Sequence, residues 1–184
     1  MQTTNFHIQS HADMACWEWN DHHIGWTRMG EANAPCAVLL IHGFGANTEH
    51  WRFNQPVLAE AAPTYAIDLL GFGESDQPRA HLKDEPKLEG SVHYGFDLWG
   101  QQVADFCRDV IDQPVILIGN SIGGGLCSGV AANSDKVAGL VLCNSAGVIL
   151  DDAKPDELDV KAETLRGDLE PYGGPPQAGP DALG

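Results

Sequence analysis

The chain has 184 residues, of which 43% are hydrophobic, and a formal net charge of −16 from 26 acidic and 10 basic side chains. That length supports one domain with a substantial core. The acidic balance excludes a nucleic-acid surface, since neutralising phosphates takes clustered Lys and Arg, and it excludes docking on an anionic membrane.

The N-terminal "MQTTNFHIQSHADMA" carries no basic residue and no continuous apolar stretch, so no secretory signal is expected. No run reaches the length of a membrane-spanning helix, and no stable membrane anchor is expected. Cys16, Cys36, Cys107, Cys127 and Cys143 form an odd set without a C-x-x-C pair. They read as reduced thiols, mostly small core residues, of a cytoplasmic protein.

Residues 14–31, "MACWEWNDHHIGWTRMGE", hold two aromatic-rich runs around Asn20-Asp21-His22-His23 and predict a hairpin with the histidines in its turn. "CAVLLIHG" (36–43) is a continuous apolar run ending in glycine, as expected of a strand buried on both faces of a parallel sheet. In "NTEHWRFNQPVLAEAA", Pro56 opens a short helix but would break one begun earlier. "TYAIDLLG" (64–71) predicts a second buried strand. Asp68 and Asp76 flank the "GFGES" segment and read as turn chemistry. In "YGFDLWGQQVADFCRDVI", Trp99, Val103, Phe106 and Val110 fall on one helix face. "PVILIG" (114–119) and "KVAGLVLCN" (136–144) predict the third and fourth buried strands, with a helix from "SIGGGLCSGVAA" between them.

Strand and helix alternate, so the fold class is α/β with a mostly parallel sheet and flanking helices. Residues 1–150 read as its core. Residues 151–184 are acidic and end in "EPYGGPPQAGPDALG", and they read as the start of a cap or a disordered tail.

Gly119-Asn120-Ser121-Ile122-Gly123 has the form G-x-S-x-G. The pattern alone is weak; its context gives it weight. A nucleophile elbow needs a buried strand before the serine and a helix after it, so that a strained turn lifts the hydroxyl above the sheet. Glycines at 119 and 123 remove side chains that would collide across that turn. The bland alternative is a serine that only caps the helix. An acyl-transfer nucleophile also needs oxyanion donors. The Ile122 amide, at a helix N-terminus, supplies one. The second is expected from His42-Gly43-Phe44-Gly45, the loop after an earlier strand, through the Phe44 amide or alternatively that of Gly45. His22 and His23 lack spaced partners for a metal. "GFGES" and "GIGGG" lack the patterns of nucleotide-binding loops.

His42-Gly43-Phe44-Gly45, "DLLGFGESDQP" (68–78) and "GNSIGG" (119–124) together resemble, in order and spacing, the α/β-hydrolase superfamily over about residues 14–150. "HGFGANTEHWRFN", "YGFDLWGQQVADFCRDVI" and "PVILIGNSIGG" are similar to pheophytinase-type, chlorophyll-dephytylating serine hydrolases. "GNSxGG" also resembles the C–C hydrolases of aromatic degradation. The resemblance implies an α/β-hydrolase fold and a serine hydrolase acting on a small, apolar carboxylic ester, with no metal or organic cofactor. Ser121 would be the nucleophile and Phe44 and Ile122 the oxyanion donors. His42, Gly43, Gly45, Gly119, Asn120 and Gly123 would support the loop and the elbow. A C–C hydrolase is the alternative activity, and a catalytically inactive binding module the alternative of another class.

The superfamily's triad runs nucleophile, acid, histidine. Every histidine (His7, His11, His22, His23, His42, His50, His81 and His93) precedes Ser121. Asn144 and Asp151 occupy the place where some members carry the acid. The resemblance therefore implies an N-terminal portion of a longer hydrolase, lacking the last strands and most of the cap. The other possibility is a degenerate protein. On the first reading the 184-residue chain is poorly soluble and nearly inactive by itself, with "VAGLVLC" an exposed sheet edge.

Overall fold

The hairpin closes through Asn20 and Asp21 alone. Both take left-handed backbone angles, φ 49° and 62°, which a two-residue turn needs to match the twist of its strands. Strand β1 (Met14–Trp19) thus pairs directly with β2 (His22–Met29), with Trp19 opposite His22. His22 and His23 lie in β2 rather than in the turn, because the turn needs only two residues. This is a computed structural model, and it describes residues 13–31, 33–82, 85–86 and 88–146.

After β2 come β3 (Ala37–Ile41), β4 (Thr64–Ile67), β5 (Val115–Asn120) and β6 (Val137–Cys143). The described strands form one sheet in the order β1-β2-β4-β3-β5-β6. β1, β2 and β4 pair antiparallel, and β4, β3, β5 and β6 are parallel. Every residue of β3 and β4 is buried, which explains their unbroken apolar sequences. β3 stops at Ile41, short of the predicted Gly43, because the chain leaves the sheet at His42.

The helices follow their own signals. Asn47 accepts from the Glu49 amide at 3.0 Å and opens a 3-10 turn, Thr48–Trp51. Helix α1 (Gln55–Ala59) begins with Pro56 in its first turn. Helix α2 (Phe96–Phe106) buries Trp99, Val103 and Phe106 as predicted. The predicted helix does not run regularly to its end. Residues Cys107–Ile111 form a π-helical turn, in which the Asp112 amide donates to the Cys107 carbonyl at 3.0 Å. The wider winding rotates the face by one position, so Ile111 is buried and Val110 only half-buried. Helix α3 (Ile122–Ala132) follows the elbow.

One face of the sheet holds the larger core: Leu39, Ile41, Ile67 and Leu117 pack against Trp99, Phe106, Leu126 and Cys127. Val38, Leu40 and Ala66 on the other face pack under Trp51. β6 is the outermost described strand beside β5, and Leu140, Val141 and Leu142 are exposed on it. All five cysteines are free. Only Cys107 and Cys127 are buried, which corrects the expectation that most lie in the core: Cys16 alternates outward on β1, and Cys36 and Cys143 are half-buried. Burial pushes the Cys107 and Cys127 thiols up to about 12. No described helix is long and apolar enough to cross a membrane. The chain divides into units Met1–Ala146 and Gly147–Gly184, and the second lies outside the described residues.

Candidate active site

A parallel sheet whose neighbouring strands leave in opposite directions opens a crevice at their carboxyl ends. Here β3 pairs β4 on one side and β5 on the other, so the crevice lies where β3 and β5 end. The loop after β3 and the turn after β5 meet there.

At the end of β5, Ser121 has φ 54° and ψ −121°. A non-glycine side chain rarely adopts that backbone, and it persists only where surrounding contacts fix it. Those contacts are visible. The Ser121 amide donates to the Cys143 carbonyl at 3.1 Å. Its carbonyl accepts from the amides of Gly124 at 3.0 Å and Ala146 at 2.8 Å. Asn120 Nδ2 also donates to the Cys143 carbonyl, at 3.2 Å.

Two close approaches make the turn possible. A Cβ on Gly119 would collide with the backbone of Gly123, and a Cβ on Gly123 would collide with the Ile41 carbonyl and stand 2.6 Å from that of His42. No side chain fits between strand, turn and helix.

The Ser121 side chain makes no capping hydrogen bond to α3, unlike a serine whose purpose is the helix cap. The hydroxyl has no partner among the described residues. The Ile122 amide likewise has no acceptor among them, and it opens an eleven-residue helix. That end of a helix favours negative charge.

The facing loop begins at His42, which is fully buried. The Leu69 amide donates to His42 Nε2 at 3.0 Å, so Nε2 bears no proton. The proton is therefore on Nδ1, which donates to the Gly43 carbonyl at 2.7 Å. Burial, the largest influence, holds the imidazole below its usual pKa, against the pull of the Gly43 carbonyl and Asp68. With both ring nitrogens engaged, His42 has none to take a proton from Ser121. Gly43 lies against the elbow: a Cβ there would stand 3.0 Å from Ser121 Cβ and 3.1 Å from Asn120 Oδ1. Gly45 takes φ 73° in open space. Among the described residues the Phe44 amide has no acceptor. The Phe44 ring is 74% exposed and meets Phe72 edge-on at 5.3 Å.

Asp68 joins these pieces. Fully buried, it accepts from the Thr48 amide at 2.6 Å and the Glu74 amide at 2.8 Å. Its carbonyl accepts from Ser75 Oγ and Gln102 Nε2. Burial raises its pKa, and the amide hydrogen bonds from Glu74 and Thr48 oppose that rise. The turn role expected for Asp68 is therefore only half of what it does, since it also anchors Thr48, in the segment that follows the loop after β3. A lone carboxylate inside the apolar run "TYAIDLLG" was the available signal. Asp76 accepts from the His23 amide at 2.8 Å, tying the turn to β2. Sequence reading also missed Gln102, whose amide bridges the Leu70 nitrogen and the Asp68 carbonyl from α2.

None of His22, His23, His42, His50, His81 and His93 hydrogen-bonds Ser121. His7, His11 and Asp151 lie outside the described residues. Asn144 directly follows β6, with φ 45°, and an amide side chain cannot serve as the carboxylate of a triad. No group of three or more His, Cys, Asp or Glu among the described residues is arranged to hold a metal ion.

The fold has counterparts among known proteins. The chain is 35% identical over 130 residues to a 2-hydroxy-6-oxo-6-(2'-aminophenyl)hexa-2,4-dienoic acid hydrolase of Metapseudomonas resinovorans, covering 68% of this chain and 41% of the relative. It is 29% identical over 130 residues to the human (lyso)-N-acylphosphatidylethanolamine lipase, covering 70% of this chain and 35% of that protein. The chain thus spans well under half the length of these relatives. Among solved structures, a serine hydrolase involved in carbazole degradation superposes with a TM-score of 0.62 at 28% identity, covering 84% of this chain and 57% of the other. A family model described as "alpha/beta hydrolase fold" matches residues 37–169. That span takes in the loop after β3 and the turn after β5, and the chain belongs to the alpha/beta hydrolase fold family.

Proposed function

We propose that Ser121 is the nucleophile of a hydrolase that cleaves carboxylic esters through an acyl-enzyme. The observation that carries this reading is the Ser121 backbone at φ 54°, with a hydroxyl that no described residue binds, at the N-terminus of α3. Strain held at one residue, with its side chain left free, fits a reacting group better than a packing group. In this reading the Ser121 oxygen attacks the ester carbonyl, and the Ile122 and Phe44 amides hold the oxyanion of the tetrahedral intermediate. Collapse expels the alcohol, and water then releases the acid. His42 is not the base, since its nitrogens are engaged. The proton acceptor is a histidine in a segment outside residues 13–146. The exposed Phe44 ring meets Phe72 edge-on, an apolar surface beside the proposed donor that suits an apolar acyl or alcohol group.

A second reading has its own support. The M. resinovorans relative is named as a dienoic acid hydrolase, and so is a 2-hydroxymuconate semialdehyde hydrolase of Pseudomonas sp. (strain CF600), 30% identical over 126 residues. C–C hydrolysis would use the same serine and the same oxyanion donors.

A fluorophosphonate probe tests the common element. Covalent labelling that disappears in Ser121→Ala supports the nucleophile. In the full-length enzyme, no labelling, or labelling that survives the substitution, refutes it and leaves a binding module. Parallel turnover of an aryl ester and a ring-fission dienoate by the full-length enzyme then separates the two readings.

A further inference from the structure

We infer that Asn144 is a positioning residue for the nucleophile: its left-handed backbone folds residues 143–146 around Ser121, so that one short segment holds both the amide and the carbonyl of the strained residue. This role rests on the reading of Ser121 as an acyl-transfer nucleophile.

Strands β5 and β6 run parallel, with Asn120 opposite Cys143. The Ser121 amide donates to the Cys143 carbonyl at 3.1 Å, as a parallel ladder requires. A regular continuation would next bring the Ser145 amide to the Ser121 carbonyl. The Ala146 amide arrives instead, at 2.8 Å. One extra residue is inserted, as in a β-bulge, and the insertion falls at Asn144, where φ is 45°. Asparagine is one of the few residues besides glycine that enter this region readily. Its side chain makes no hydrogen bond to a described residue, so Asn144 acts through its backbone.

The folded-back segment also packs on the first turn of α3. A Cβ on Gly124 would stand 2.6 Å from Ser145 Oγ and 3.0 Å from its Cα, and one on Gly125 would stand 3.0 Å from the Ala146 carbonyl oxygen. Glycines at these two positions let residues 145 and 146 lie directly over the start of the helix. Ser121 is thus enclosed by β5 before it, α3 after it and the wrap from β6, with its hydroxyl left unbound by any described residue. A residue in a sparsely populated backbone region persists only where such contacts surround it. Without the bonds to Cys143 and Ala146, the Ser121 backbone would relax to negative φ and carry the hydroxyl out of place.

Glycine, alanine and valine at position 144 form a series of falling tolerance for a left-handed backbone. In the full-length enzyme, Ser121-dependent fluorophosphonate labelling per folded molecule should stay within about threefold of wild type in Asn144→Gly. It should fall by about tenfold or more in Asn144→Val, since small misplacements of a reacting group have effects of that order. Ester turnover should lose kcat in the same order while KM stays constant, a split that lost stability alone does not produce. Equal rates per folded molecule in the glycine and valine variants overturn the inference. Should the valine variant not fold, Asn144→Ala replaces it under the same criterion. Hydrogen exchange reads the clamp without chemistry: the Ser121 and Ala146 amides should be protected in wild type and Asn144→Gly, and should exchange about tenfold faster in Asn144→Ala. Unprotected amides in wild type, or equal protection in the two variants, overturn the assignment. Labelling that is absent in the wild-type enzyme, or that survives Ser121→Ala, refutes the nucleophile reading instead, and hydrogen exchange still decides whether Asn144 holds Ser121.

Discussion

Gly123→Ala should destabilise the protein while Gly129→Ala, six residues further along the same helix, should stabilise it. Alanine is the better helix former by about 1 kcal/mol, so propensity alone predicts a gain at both sites. The surroundings reverse the sign at one. A Cβ at Gly123 would collide with the Ile41 carbonyl, stand 2.6 Å from the His42 carbonyl and 3.0 Å from the Ile41 carbonyl carbon. All are backbone atoms at the end of β3, which is held between β4 and β5 and has no rotamer to give. Overpacking of this kind costs about 1–3 kcal/mol, and more where nothing can yield. The net effect is then a loss of up to about 2 kcal/mol, and more where the β3 backbone cannot yield. A Cβ at Gly129 meets nothing within 4 Å, so there the gain of about 0.5–1 kcal/mol should remain. Thermal unfolding reads both, at roughly 2–8 °C per kcal/mol for domains in this size range. Two shifts of the same sign, or a Gly123→Ala protein as stable as wild type, would refute the argument that the turn is set by backbone contact.

Trp19→Phe removes the indole that donates to buried Asp105 Oδ2 at 2.8 Å, and denaturant unfolding should show a loss of about 1–3 kcal/mol as that oxygen loses its donor. Asp21→Gly puts glycine at a position with φ 62° in the hairpin turn, so the melting temperature should rise with a gain of about 0.4–1 kcal/mol. Val141→Lys places a charge on β6, the outermost described strand on its side of the sheet. Light scattering of the concentrated 184-residue chain should fall relative to wild type. A p-nitrophenyl ester assay on the same chain should show hydrolysis limited to roughly the 10³–10⁴-fold over water that survives loss of a triad member.

The parts of this fold that could be read from sequence are those whose cause is local. β3 and β4 declared themselves because strands buried on both faces have no room for polar residues. Pro56 declared α1, and the paired glycines around Ser121 declared the elbow. What escaped depends on neighbours remote in sequence. The hairpin register placed His22 and His23 in a strand because Asn20 and Asp21 suffice for the turn. The π-helical winding at Cys107–Ile111 has no periodic signature in five residues. Asp68 looked like a turn residue because its bond to Thr48 crosses from β4 to the loop after β3, and nothing in the spacing of the two reveals it. The tautomer of His42 rests on the Leu69 amide, 27 positions away.

The strand order also governs how the chain can be assembled as it is made. β3 is synthesised early and meets β4 soon after, but its other edge belongs to β5, which begins only at Val115. At ribosomal rates of roughly 5–20 residues per second, that apolar edge stays unpaired for several seconds while residues 42–114 are added. The sheet thus grows outward from β3 by late addition of β5 and then β6. Ser121, directly after β5, reaches its strained conformation only once Cys143 and Ala146, which hold its backbone, have followed. A nascent chain halted before Val115 would present β3 to any other strand at hand, which makes this interval the point at which folding most needs protection from association.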